Sequence, residues 1–125
     1  CNMITKRRHP EHQLQTACFQ WFNLQYPEFR GLLFAVPNGG GRSRIEAALL
    51  KAEGVVAGVA DMLLLVPSKG YAGLCIEFKA ATKTARQSEA QKKWERLINK
   101  HGAYKYTVVR TFEEFRTLMY NYLAI

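Results

Sequence analysis

Apolar and polar residues follow two rhythms along this chain. Over residues 10–26, Leu14, Ala17, Cys18, Trp21, Phe22 and Gln25 recur at intervals of three and four. That spacing predicts an amphipathic helix, opened by Pro10 in its first turn and stopped by Pro27. Residues 32–36 (Leu-Leu-Phe-Ala-Val) form a short apolar run before a turn, which predicts a buried strand. A glycine-rich stretch fills residues 37–44. Ser43 and Glu46 then have the spacing of a capping box, and Ile45, Ala48, Leu49 and Ala52 carry a second helical face to a stop at Gly54.

Residues 60–66 are apolar except for Asp61 and predict a strand buried on both faces. Residues 67–70 supply a turn, and 74–79 the returning strand. Thr84 with Gln87 offers another capping box, ahead of a helix lined by Ala90, Gln91, Trp94, Leu97, Ile98 and His101 and ended by Gly102. Residues 104–109 predict a fourth strand. Thr111 and Glu114 open a last helix bearing Phe112, Phe115, Leu118, Met119 and Tyr122 on one face. The hairpin is antiparallel, whereas a helical crossover between the third and fourth strands implies a parallel pair. The fold expected is therefore α/β, a mixed four-stranded sheet flanked by helices on both faces. The aromatic pairs Trp21 with Phe22 and Phe112 with Phe115 fall on core faces. With no repeat or linker, residues 10–125 read as one domain behind a flexible segment, 1–9.

Composition narrows the class. The chain has 125 residues, 48% of them apolar, enough for a core without staples. No window approaches the roughly 18 apolar residues of a membrane span, and Lys6-Arg7-Arg8 precedes no apolar signal core. Cys1, Cys18 and Cys75 form no paired framework and read as free thiols, which suits an intracellular, cytoplasmic protein. The sequence opens on Cys1, with Met3 a candidate start. Its net charge of +8 favours an anionic partner such as nucleic acid or a membrane surface. The excess is concentrated over residues 79–105, which carry eight Lys/Arg and two Glu.

The chemistry centres on the hairpin. Asp61 heads an otherwise apolar strand, and Glu77 and Lys79 stand near the end of its partner. Ionisable groups in such strands are costly unless paired or metal-bound. A symmetric hairpin centred on residue 69 sets Asp61 opposite Glu77, about 5 Å apart on one face. Strand alternation returns Lys79 to that face. Two carboxylates so close repel unless a cation lies between them, and a hard divalent ion with retained waters answers that. An ammonium beside them would activate water or stabilise charge on a phosphoryl group. The plainer alternative is a surface hairpin with a charged edge. His9 and His12 have the spacing of ligands on a helix, but no further ligand completes a zinc set.

Glu11-x-x-x-Gln15, Val36-Pro37-Asn38-Gly39-Gly40 with Arg42-Ser43, Gly58-Val59-Ala60-Asp61, Glu77-Phe78-Lys79 and Gln91 follow one another along nearly the whole chain. Their combination resembles a stand-alone VRR-NUC domain of the PD-(D/E)XK nuclease superfamily. The resemblance implies a restriction-endonuclease-like core in which Asp61, Glu77 and the Phe78 carbonyl bind Mg²⁺ or Mn²⁺ and Lys79 acts on the attacking water. It adds Glu11 near the metal or its waters and Gln91 beside the site. The family's usual proline before the aspartate is Ala60 here. Plainer readings are a first-turn helix-dipole acid for Glu11 and a surface glutamine for Gln91.

The implied activity is DNA phosphodiester hydrolysis by a homodimer, first on branched DNA such as Holliday junctions, with no small-molecule cofactor and no membrane partner, and with a bacterial or phage origin. Duplex cleavage, sequence-specific or nonspecific, is the enzymatic alternative, and a catalytically silent nucleic-acid-binding module the other. The glycine loop lacks the Gly-Lys-Ser/Thr ending of a P-loop. Its amides, the following helix start and Asn38, Arg42, Ser43 and Arg44 are candidate DNA contacts, extended by Lys83 and Arg86.

Overall fold

Helix α1 (Pro10–Gln25) turns Cys18 and Phe22, four residues apart, into the protein interior. Pro27 ends its pattern and starts a single 3₁₀ turn, Pro27–Phe29. Strand β1 (Leu33–Ala35) follows, then helix α2 (Arg44–Ala52), strands β2 (Met62–Leu64) and β3 (Gly73–Phe78), helix α3 (Glu89–His101), strand β4 (Tyr104–Val109) and helix α4 (Phe112–Leu123). These elements come from a computed structural model that describes residues 10–37 and 43–125. The N-terminal segment 1–9, including Cys1 and His9, lies outside the described residues.

The sheet runs β1-β2-β3-β4, antiparallel from β1 to β3 and parallel between β3 and β4. This is the expected mixed sheet, with β3 at its buried centre. One face carries Met62, Leu64, Leu74, Ile76 and Phe78, which meet Cys18 and Phe22 of α1 and Phe115, Met119 and Tyr122 of α4. Trp21 joins those helices, edge-on to Phe112 and Phe115 with ring centroids 6.0 Å away. Helix α3 lies over β4 on the opposite face, with Trp94 against Tyr106. Cys18 and Cys75 are buried free thiols, pushed up to about 12 and about 11 by that burial.

Three sequence expectations shift. Strand β1 is an edge strand burying Leu33 alone, with Phe34 half-buried and Ala35 exposed. Strand β2 is not buried on both faces: Met62 and Leu64 are covered, Leu63 half so, and Leu65 is exposed. An apolar run records hydrophobicity but not which helix reaches it, and on that second face α3 lies over β4 and leaves β2 largely open. The third change is the cap of α3. Ser88 and Gln91 form it, not Thr84 and Gln87, since both pairs match the motif and Gln87 is drawn instead to Glu95 and Tyr106.

The hairpin turn closes at Ser68 and Tyr71, with Lys69 and Gly70 both at positive φ. Gly102 caps α3 in the left-handed conformation that a side chain disfavours. No helix among the described residues is long and apolar enough to cross a membrane.

Candidate functional site

Met62 pairs with Ile76 and Leu63 with Cys75, the register that sets Asp61 opposite Glu77. Asp61 stands just before β2, where its carbonyl accepts from the Val36 amide at 2.8 Å and extends the ladder to β1. Met62, Ile76 and Phe78 face α1 and α4, so alternation turns Asp61, Glu77 and Lys79 to the other face. There they lie beneath the first turn of α3.

Backbone and side chains hold each group. Asp61 Oδ2 accepts from the Phe78 amide at 2.7 Å. Lys79 Nζ lies 3.8 Å from Glu77 Oε2. The same oxygen accepts from the Gln91 side-chain amide, whose Oε1 accepts from the Ser88 amide at 2.7 Å. The other carboxylate oxygen, Oε1, lies 3.5 Å from the Tyr106 hydroxyl. Glu11 reaches the end of the sheet from α1, its Oε2 accepting from the Ala80 amide at 3.3 Å.

Glu77 is 1% exposed, the buried charged residue of the described chain. Burial, then repulsion from Asp61, pushes its carboxyl up to about 8, with Lys79 pulling the other way. Burial also raises Asp61, against the stabilising Phe78 amide and Lys79. Glu11 adds its repulsion to both. A centre whose carboxylates are desolvated and mutually repelling gains from an added cation. Its donors are all oxygen, which suits Mg²⁺ or Mn²⁺. Among the described residues no three His, Cys, Asp or Glu side chains converge on one point. A donor set of two acidic side chains, Asp61 and Glu77, suits an ion that keeps several waters better than a closed all-protein cage.

Several supporting residues carried no signal of this role in the sequence. Gly58, at φ +85°, lies so close to α3 that an added Cβ would stand 2.3 Å from the Ala90 carbonyl oxygen. It lets the segment entering Asp61 cross the first turn of that helix. Arg110 donates through Nη1 to the carbonyls of Ala80, at 2.9 Å, and Ala85, at 2.8 Å, tying down the loop after Lys79. The β3–β4 crossover brings Tyr106 to Glu77 and Gln87 to Tyr106. Gly58 and Gln87 each belong to a motif legible in the sequence, Gln87 to a capping box with Thr84 that the fold does not use.

The candidate DNA contacts are scattered. Ser43 is committed to its helix cap, its Oγ accepting from Glu46 at 3.1 Å, while Arg44 is exposed beside it. Lys83 and Arg86 are exposed on the loop before α3. Arg86 also lines an open groove of about 810 Å³ along the β4 edge, with Lys92, Arg110, Glu113 and Glu114. Asn38 and Arg42 lie outside the described residues.

At the level of sequence, no family model and no curated protein matches the chain. At the level of structure, it is similar to a solved structure described as a VRR_NUC domain protein, with a TM-score of 0.75 and 24% sequence identity. The likeness covers 94% of this chain and 90% of that one. With a likeness that spans almost the full length of both, this chain has the VRR-NUC domain fold.

Proposed function

We propose that this chain is a divalent-metal-dependent DNA endonuclease of the PD-(D/E)XK type, acting as a homodimer on branched DNA such as Holliday junctions. The observation that carries the reading is a buried Glu77 beside Asp61 and Lys79 on one face, its carboxylate held from both sides. The VRR_NUC description of the structural neighbour agrees with a nuclease. Asp61, Glu77 and the Phe78 carbonyl would hold Mg²⁺ or Mn²⁺, which supplies Lewis-acid polarisation of the phosphate. Lys79 donates to the attacking water or to the phosphoryl oxygens as charge grows there. Water adds to phosphorus, giving up a proton to solvent, as the bond to the leaving sugar oxygen breaks and that oxygen takes a proton from solvent. Glu11 orients water at the rim, and Gln91 keeps Glu77 aimed.

The substrate reading rests on charge. A net +8, gathered largely after Lys79, offsets the repulsion between a phosphate backbone and the acidic centre, so binding falls steeply with salt. Arg44, Lys83 and Arg86 are the described candidates for that track.

Helix α2 supports the dimer. Every residue of it is exposed except Leu50, which is half-buried, and Ile45 and Leu49 are 74% and 58% exposed. A nine-residue helix is marginal on its own in water, and this one carries an apolar stripe of Ile45, Ala48, Leu49 and Ala52. Arg44 and Lys51, two turns apart, flank the stripe on one side, and Glu46 and Glu53 on the other. A parallel two-fold pair sets acidic flank against basic flank, whereas an antiparallel pair sets like on like.

The test is cleavage of a four-way junction with Mg²⁺ or Mn²⁺, with binding measured separately without metal. Asp61→Ala and Lys79→Ala should bind as wild type and cut at least about 10²-fold more slowly. Wild-type binding with no cleavage of linear, flapped or four-way DNA would leave a binding module instead.

A further inference from the structure

We infer that Tyr106 is a positioning residue for the metal site, the last link of a hydrogen-bond chain that fixes the direction of the Glu77 carboxylate. The inference rests on the metal-site reading above and assigns a role to residues outside it. Donor and acceptor accounting sets the polarity of the chain. Gln87 Nε2 donates to Glu95 Oε1 at 2.9 Å and to the Tyr106 hydroxyl oxygen at 3.2 Å. Because that oxygen already accepts, the Tyr106 proton is free to point the other way. Glu77 Oε1, at 3.5 Å, is the acceptor there.

The second oxygen is fixed independently. Gln91 accepts from Ser88 through its carbonyl, so its amide must donate to Glu77 Oε2. Glu77 is thus gripped by α3 at one oxygen and by β4 at the other. Its remaining lone pairs are left for the face it shares with Asp61. The Tyr106 ring is itself held against Trp94, centroids 6.0 Å apart, so the hydroxyl cannot swing away without disturbing that packing. Outer partners of this kind orient a ligand and commonly matter 10–100-fold in metal affinity, as an order of magnitude.

Tyr106→Phe deletes the hydroxyl and keeps the ring. The experiment is Mn²⁺ binding to the DNA-free protein, read by electron paramagnetic resonance of the free ion, with the thermal midpoint and junction cleavage against Mn²⁺ concentration alongside. We expect the dissociation constant for Mn²⁺ to rise about tenfold or more. The thermal midpoint should hold, and cleavage should recover towards the wild-type rate as Mn²⁺ is raised. Gln87→Met, which keeps the volume and removes the donor, should weaken Mn²⁺ binding less. The two changes together should cost no more than Tyr106→Phe alone, since both act through one hydroxyl.

Unchanged Mn²⁺ affinity in a folded Tyr106→Phe protein would overturn the inference while leaving the nuclease reading intact. Failure of the wild-type protein to bind Mn²⁺ would overturn both. If Tyr106→Phe does not fold, Gln87→Met decides the question by the same titration: weakened binding supports the chain, and unchanged binding sinks it.

Discussion

Helices α2 and α3 have the same design on paper and opposite fates in the fold. Each is short, amphipathic and opened by a complete capping box, Ser43 with Glu46 in one and Ser88 with Gln91 in the other. In α2 the box closes on itself. In α3 the capping side chain does two jobs, since a glutamine accepts from its N-cap amide with one end and donates to Glu77 with the other. A glutamate could do only the first. The difference teaches that a cap residue becomes a site residue when tertiary structure brings a carboxylate to its free end.

Gln91→Glu breaks this comparison most directly. It leaves a capping box like that of α2 but puts another carboxylate against a buried Glu77. Metal affinity and junction cleavage should drop about 10–100-fold with the helix retained, which a Mn²⁺ titration and a circular dichroism spectrum would check. The matching change in α2, Glu46→Gln, should leave cleavage alone.

Gly58→Ala tests how α3 is seated. The added methyl meets the Ala90 backbone, and the left-handed φ strains any side chain, so about 1–3 kcal/mol of stability should go, measurable by urea titration. A neutral result would mean that the first turn of α3 yields easily and does not hold Gln91 in place.

pH sharpens the same point. Folding raises the Glu77 carboxyl from 4.5 to about 8, so the folded form holds a proton that the unfolded chain releases. Its contribution to stability is fully present below 4.5 and is lost as pH rises through 8. The metal-free protein should therefore melt several degrees lower at pH 8.5 than at pH 5.5, and excess Mg²⁺ should narrow that gap by stabilising the ionised pair. A metal-free melting point that rises over this range would show the site to be already neutralised.

Leu49→Glu should have the smallest effect on the single chain, because the side chain is exposed. Its expected consequence is in mass, from dimer to monomer by sedimentation equilibrium. Paired Lys51→Glu with Glu53→Lys should restore what Lys51→Glu alone weakens, since a parallel pair exchanges its flanks. Cleavage and mass unmoved by any of these would leave α2 with no role in assembly.

Much of the architecture was legible in the chain. Helical spacing around Trp21 and Phe22, the stop at Gly102 and the turn before Tyr71 are local signals, and each produced its element. The register of Asp61 with Glu77 followed from hairpin symmetry alone, because a two-stranded antiparallel pair has one degree of freedom. The register and alternation bring Asp61, Glu77 and Lys79 to one face as that symmetry required. The cap of α3 was misplaced by four residues because Thr84 with Gln87 and Ser88 with Gln91 are equivalent as strings. Only the position of Tyr106, nearly twenty residues further on, distinguishes them.

By itself, then, the sequence determined the elements, their order and the pairing of two acidic residues across a turn, since all depend on neighbours within a few residues or on a single reflection. The tertiary structure decided which apolar faces found partners, leaving Leu65 and the stripe of α2 uncovered. It also decided which polar side chains grip Glu77. Those outcomes depend on a parallel crossover that sets β4 beside β3 and α3 above both, and no local periodicity encodes where a chain returns after such a crossing.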